Sequence, residues 1–143
     1  MINIQIEYDN IDKSFIDEQW ICFICKTICN NKGHDSGQIN IIFSNDSKLN
    51  ELKKEYFGED LLTDTISFNL ESEGEPLDGE IYISLDRVNE NAKSFSQDFI
   101  QEYKRVVIHS CLHLLGYEDG DCYDKQIMTD LEEKYLSLTM SFD

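Results

Sequence analysis

Alternating apolar and polar positions mark the strands of this 143-residue chain. Residues 2–8 and 38–44 alternate with the period of two that is typical of a half-buried strand. Residues 64–70 and 79–85 show the same pattern on either side of an acidic loop, residues 71–78. The pattern therefore predicts a sheet of about four strands.

Apolar residues at intervals of three and four predict helices between and after these strands. The predicted helices cover residues 12–29, 47–57, 87–96, 97–115 and 123–138. Asn45 or Asp46 can cap the second helix, and Asp86 is placed to cap the third. We expect a single α+β domain, residues 1–143, with a mixed sheet and helices packed on it.

The composition indicates the cellular compartment in which we expect this domain to work. No stretch has the 18 or more apolar residues of a membrane span, and the N-terminus lacks the basic and apolar regions of a signal peptide. Five cysteines, an odd number, indicate free thiols in a reducing cytoplasm. Three of them, at positions 22, 25 and 29, follow a helical period, which favours packing over a metal site.

The segment of residues 105–121 carries the chain's most distinctive chemistry. His109 and His113 lie four residues apart in an apolar run, so both imidazoles project from one face of a helix in the core. Gly116 is placed for a left-handed cap that turns the chain back. A carboxylate just past the turn, from Glu118, Asp119 or Asp121, can then complete two nitrogens and one oxygen, a donor set of catalytic zinc.

The residue after the first histidine argues against peptide hydrolysis. A peptidase with the H-E-x-x-H motif uses a glutamate there as its general base. This chain has Ser110 at that position, which cannot act as that base.

Residues 109–119, HSCLHLLGYED, resemble the H-G-x-L-H-L-x-G-Y-D-H signature of the YbeY-type ribosomal-RNA maturation endoribonucleases. In this resemblance His109 and His113 match the first two metal ligands, and Asp119 falls at the third histidine of the family. Asp121, Glu118 and Cys122 remain alternatives for that third ligand. The family's scaffold positions are matched by Leu112, Leu114, Gly116 and Tyr117.

A second segment, residues 56–68, is similar to the family's Y-R-x-x-D-x-P-T-D-V-L-S-F. Phe57 replaces an arginine that in the family lies near the active site and is thought to contact RNA, and Leu62 replaces the proline. The candidate substrate-binding residues are Lys53 and Lys54, as substitutes for that arginine, together with Thr63, Ser67 and Arg87. The candidate catalytic residues beside the metal are Asp64 and Ser110, with proton transfer assigned to the metal's water, the phosphate or Asp64.

The resemblance implies a single-strand-specific endoribonuclease that binds one Zn²⁺ per chain and matures small-subunit ribosomal RNA. Nickel, iron or cobalt also fit these ligands. The expected partners are ribosomal RNA in the small subunit and a ribosomal or ribosome-assembly protein, with no membrane. A net charge of −17, from 12 basic and 29 acidic residues, is unusual for an RNA enzyme. Two alternatives therefore stay open: a non-catalytic assembly factor with a structural metal, and a metallohydrolase of another substrate such as a peptide.

Overall fold

The computed structural model of the protein describes residues 1–9, 11 and 15–138, which form four strands and five helices. The strands are β1 (Ile2–Tyr8), β2 (Gly37–Ser44), β3 (Thr65–Asn69) and β4 (Leu77–Ser84). The helices are α1 (Glu18–Asn31), α2 (Asp46–Phe57), α3 (Leu85–Ser94), α4 (Phe99–Leu114) and α5 (Cys122–Leu136). The predicted elements are all present, within a few residues at most ends.

The four strands form one mixed sheet in the order β1-β2-β4-β3. β1 pairs with β2 and β2 with β4 in parallel, whereas β3 runs antiparallel to β4. Ile41 of β2 lies beside Ile81 of β4, so their side chains share one face of the sheet. The predicted α+β fold with a mixed four-stranded sheet is confirmed.

The two faces of the sheet bury different clusters. The main core lies where α1 and α4 pack on one face of the sheet, and α3 and α5 add residues to it. Its central residues, such as Ile41 and Ile81, have no exposed surface. A smaller cluster of Leu49, Leu52 and Ile66 lies under α2 on the other face. α4 is therefore a core helix, and its exposed C-terminal end is where the histidines lie.

Two predicted helix starts were wrong. The prediction began α1 at residue 12, and residues 12–14 lie outside the described residues. The helix begins at Glu18, because the Asp17 side chain caps it by accepting a hydrogen bond from the Trp20 amide. Ser84, not Asp86, caps α3. β4 runs directly into this helix, so the last strand residue supplies the capping hydroxyl, and the Asp86 carboxylate accepts instead from the Asp46 amide. The alternative of Asn45 as cap of α2 is confirmed.

β3 and β4 hold α4 against the sheet. Ser67 donates to the Ser110 carbonyl at 3.1 Å and Asn69 to the Leu114 carbonyl at 3.3 Å. A Cβ at Gly79 of β4 would lie 2.6 Å from a Leu114 methyl, so only glycine permits this approach without displacing the leucine. The sheet thereby fixes the position of the helix that carries the histidines.

Candidate metal centre

α4 places the two histidines side by side near its C-terminal end. The ring centroids of His109 and His113 are 4.5 Å apart, with the rings nearly perpendicular. Both side chains are partly exposed, at 20% and 27%. The four-residue spacing has the predicted effect of directing both imidazoles to one point on the surface.

The turn after α4 returns the chain to that point. Gly116 has a φ of +99°, in the left-handed region that favours glycine. The Gly116 amide donates a hydrogen bond to the His113 carbonyl at 3.0 Å. The Tyr117 amide donates a second one to the Leu112 carbonyl, also at 3.0 Å. These two bonds form a Schellman motif, which reverses the chain within a few residues. The predicted left-handed cap is confirmed.

Asp119 meets both histidines through one carboxylate oxygen. Its Oδ2 lies 3.6 Å from His109 Nε2 and 3.5 Å from His113 Nε2. Two ligands that bind a tetrahedral zinc at about 2.1 Å are themselves about 3.4 Å apart. Ligand atoms of the three residues all lie within 4.8 Å of one another, so the group could hold a metal ion.

The alternative third ligands are used differently or lie outside this group. The Asp121 carboxylate caps α5 by accepting from the Asp124 amide at 2.8 Å. Cys122 is exposed at the start of α5, and Glu118 is exposed in the turn. Within residues 1–9, 11 and 15–138, no fourth histidine, cysteine or carboxylate joins the group. The geometry therefore favours Asp119 as the third ligand of a metal ion.

A buried carboxylate from α5 contacts the other nitrogen of His109. Glu132 Oε2 lies 2.6 Å from His109 Nδ1, and its second oxygen lies 3.3 Å from Arg105 Nη1. Arg105 also makes two bonds to Glu102, at 2.6 and 3.1 Å, which raise the arginine's pKa above its already high usual value. Glu102 and Glu132 are only 2% and 7% exposed.

Sequence reasoning missed Glu132, although a signal was present. Met128, Glu132 and Tyr135 follow the i, i+4, i+7 period of one helix face, and all three are buried. An acidic residue in the apolar stripe of a helix is rarely buried without a partner. That pattern indicates a buried ionic contact, but it does not identify His109 as the partner.

The candidate catalytic residue Ser110 faces β3. Its side chain is fully buried, with Oγ 2.6 Å from the Val106 carbonyl and 2.7 Å from Thr65 Oγ1. The bond with Thr65 ties α4 to the edge strand β3. A catalytic role for Ser110 stays a prediction, and it would require the hydroxyl to leave both partners.

The other polar candidates lie on β3 and in the segment before it. Asp64 accepts from the Asn91 side chain at 3.2 Å, and Thr63 donates to the Thr65 carbonyl at 3.2 Å. Ser67 is bonded to α4, as described above. Asp64 is not part of the histidine group, and its role in proton transfer stays a prediction.

The three basic candidates all have intramolecular partners. Lys53 lies over the ring of Phe57, 4.5 Å from its centroid, and Lys54 lies 3.8 Å from Asp60. Arg87 contacts both Asp46 carboxylate oxygens, at 3.1 and 3.2 Å. The Lys54 ion pair is exposed and weak, so it can exchange for phosphate, whereas Lys53 is only partly exposed and Arg87 is held in a partly buried pair. Their contact with substrate stays a prediction.

Three buried cysteines pack between α1 and α4. Cys25, Cys29 and Cys111 have no exposed surface, as the packing interpretation expects for the first two, whereas the third helical cysteine, Cys22, is only partly buried. A hydrogen bond with Cys25, together with burial, holds the pKa of the Cys111 thiol well above its usual value. Their burial therefore predicts low reactivity.

None of the helices described in residues 1–9, 11 and 15–138 has the length and apolar character needed to cross a membrane.

Comparisons with known proteins identify the family of this chain and support its fold. Residues 2–139 match the family described as endoribonuclease YbeY. Endoribonuclease YbeY of Chlorobium luteolum is 36% identical over 133 residues, which cover 93% of this chain and 96% of the relative. That of Flavobacterium psychrophilum is 37% identical, covering 95% and 93%.

The fold also matches that of a solved structure. The solution structure of TM1509 from Thermotoga maritima aligns with a TM-score of 0.65 and 28% sequence identity. The alignment covers 93% of this chain and 86% of that one. The match over nearly the whole chain, together with the resemblance at residues 109–119, shows that the protein belongs to the endoribonuclease YbeY family.

Proposed function

We propose that this protein is a zinc-dependent endoribonuclease that cleaves single-stranded RNA during maturation of small-subunit ribosomal RNA. The family membership supports the reaction and the substrate class. The convergence of His109, His113 and Asp119 on one point is the single observation that carries the proposal for this chain.

The donor set fits zinc. Two imidazole nitrogens and a carboxylate oxygen match a catalytic zinc site, and the absence of a fourth ligand among the described residues matches a site that accepts water or substrate. Bound there, zinc would supply a water made acidic enough to attack at neutral pH and a Lewis acid for the scissile phosphate. An aspartate in place of a third histidine adds negative charge, which should make that water somewhat less acidic.

The chain's own residues supply binding and orientation. His109, His113 and Asp119 would hold the ion, and Glu132, which contacts His109 Nδ1, would orient its ring. Asp64 stays our candidate for proton transfer among the side chains, after the metal's water and the phosphate. Thr63 and Ser67, on or beside the edge strand next to α4, are proposed to contact the RNA backbone.

The charge of the protein bears on how it finds RNA. With 12 basic and 29 acidic residues, the chain should repel bare RNA at low salt rather than attract it. We propose that productive binding takes place on the small ribosomal subunit, in the cytoplasm, with help from a ribosomal or assembly protein. Lys53 and Lys54 on α2 are the local cations proposed to replace the arginine that Phe57 displaces.

The second candidate is a non-catalytic assembly factor that keeps the metal for structure. The acidic charge and the partnered state of Lys53, Lys54 and Arg87 favour it. The absence of a fourth protein ligand among the described residues opposes it, since structural zinc sites have four. Peptide hydrolysis is disfavoured because Ser110 is buried and cannot serve as the general base.

Cleavage of a single-stranded RNA and of the matching duplex, with zinc and with a chelator, tests the proposal. We expect cleavage of the single strand only, with zinc only, and none by His113→Ala. His34→Ala, a histidine outside the group, is the control and should cleave like the wild type. Full cleavage by His113→Ala in metal-free buffer would refute the metal mechanism. No cleavage by the zinc-loaded wild type, even on small-subunit particles, would favour the assembly factor.

A further inference from the structure

The contact between α5 and the metal helix has a specific geometry. His109 has two ring nitrogens, and a neutral imidazole carries its proton on only one of them. Nε2 faces Asp119, and Nδ1 faces Glu132 at 2.6 Å. A carboxylate can only accept a hydrogen bond, so at this distance the ring proton belongs on Nδ1. Nε2 is then left with a free lone pair, as a metal ligand requires.

Arg105 determines which oxygen of Glu132 is available to the histidine. Its Nη1 donates to Oε1, so only Oε2 is directed at His109. The guanidinium is fixed in turn by two bonds to Glu102, a carboxylate that is 2% exposed. Four side chains thus form one chain of contacts that runs from the core to the imidazole.

We propose that Glu132, oriented by Arg105 and Glu102, is a positioning residue that fixes His109 in the tautomer with the proton on Nδ1. This inference rests on the proposed metal site for its purpose, but the tautomer is a property of the metal-free protein. The contact also makes α5 part of the site: Asp119 precedes the helix, and Glu132 lies in its buried face.

The geometry makes an unusual prediction for Glu132→Gln. An amide in this position turns its oxygen to Arg105, because two donors cannot face each other there. Its NH2 group then faces Nδ1, which must accept, so the ring proton moves to Nε2. The substitution removes one charge and keeps the shape, yet it protonates the atom that would bind the metal. A serine-protease triad shows the same wrong-tautomer effect when its aspartate becomes asparagine.

The experiment records two-bond 15N–1H correlation spectra of the imidazoles in metal-free protein, and then zinc affinity by competition with a chelator. We expect the Nδ1–H tautomer of His109 in the wild type and the Nε2–H tautomer in Glu132→Gln. Zinc affinity should fall about 10–100-fold, the usual effect of losing a partner of a metal-bound histidine. Glu133→Gln, which removes the same charge from an exposed neighbour, should match the wild type in both measurements.

A rescue variant separates positioning from general damage. Adding Glu102→Met and Arg105→Met to Glu132→Gln removes the donor that orients the amide and leaves no unpaired arginine or glutamate there. The amide is then free to turn its oxygen to Nδ1, and the Nδ1–H tautomer should return. A defect caused only by looser packing would become worse, not better, in this triple variant.

The outcomes are distinct. An Nε2–H tautomer in the wild type, or an Nδ1–H tautomer retained in Glu132→Gln, overturns the inference, and the first of these is decisive even if the variant does not fold. An inverted tautomer with unchanged zinc affinity overturns the role in metal binding. A wild type that has the Nδ1–H tautomer but binds no zinc refutes the proposed function while leaving the positioning contact in place.

Discussion

Replacing Arg105 by methionine should destabilise the fold strongly. The guanidinium makes two bonds to Glu102, at 2.6 and 3.1 Å, and a third to Glu132 at 3.3 Å. Methionine would leave the Glu102 carboxylate, 2% exposed, without its cationic partner. Breaking a buried pair from one side costs about 3–5 kcal/mol, because the remaining charge is uncompensated.

The exposure of Arg105 places the expected loss at the lower end of that range. Its side chain is 31% exposed, so water can reach part of the site once the guanidinium is gone. We expect a loss of about 3 kcal/mol in the free energy of unfolding. A chain of this length has an unfolding entropy of about 0.3 kcal/mol/K, so the midpoint of thermal unfolding should fall by about 10 °C.

Thermal and urea unfolding, followed by circular dichroism on the metal-free protein, measure this loss. The matched control is Arg87→Met, which removes the chain's other arginine from a partly exposed pair and should cost at most about 1 kcal/mol. The double variant Glu102→Met/Arg105→Met should recover most of the stability, since an apolar pair leaves no buried charge. A loss below about 1 kcal/mol for Arg105→Met would refute the reasoning.

Three further predictions follow from the same contacts. Ser110→Ala should lower stability by about 1 kcal/mol, because it deletes a buried hydroxyl. RNA cleavage by the folded variant tests the predicted catalytic role of Ser110: loss of cleavage would support that role, and cleavage at the wild-type rate would refute it. In native protein a thiol reagent should label Cys122 first, whereas Cys25, Cys29 and Cys111 should react only on unfolding. Peptide mass spectrometry measures the order of labelling, and early labelling of Cys111 would contradict its burial. Asp121→Ala should cost about 1 kcal/mol through the lost cap of α5, whereas Asp121→Asn should not, which unfolding curves of the two variants would compare.

Much of the fold and the centre of the site follow from local patterns in the sequence. The alternating strands, the four-residue spacing of His109 and His113, and the glycine after α4 each act over a few residues. Local backbone geometry therefore decides them, and the structure agrees. Asp119 was one of several alternatives, because the path of a turn decides which carboxylate returns to the helix.

The features that the sequence did not predict depend on contacts between residues far apart in the chain. Glu132 reaches His109 across 23 positions, and Thr65 reaches Ser110 across 45. Nothing local to either residue specifies such a partner. The wrongly predicted cap of α3 has a similar cause. Aspartate is a good capping residue, but β4 continues directly into the helix, so Ser84 occupies the capping position and Asp86 lies inside the first turn.

The most direct test of the account is zinc binding by the untagged wild type beside two matched variants, Asp119→Asn and Asp121→Asn. Both variants remove one carboxylate charge from the same turn, and asparagine preserves the cap at position 121. We predict one zinc per chain for the wild type and Asp121→Asn, and an affinity more than about 100-fold weaker for Asp119→Asn, since it loses a direct ligand rather than an outer partner. No zinc in the wild type after zinc is added, or equal affinity in the two variants, would contradict the metal site at His109, His113 and Asp119.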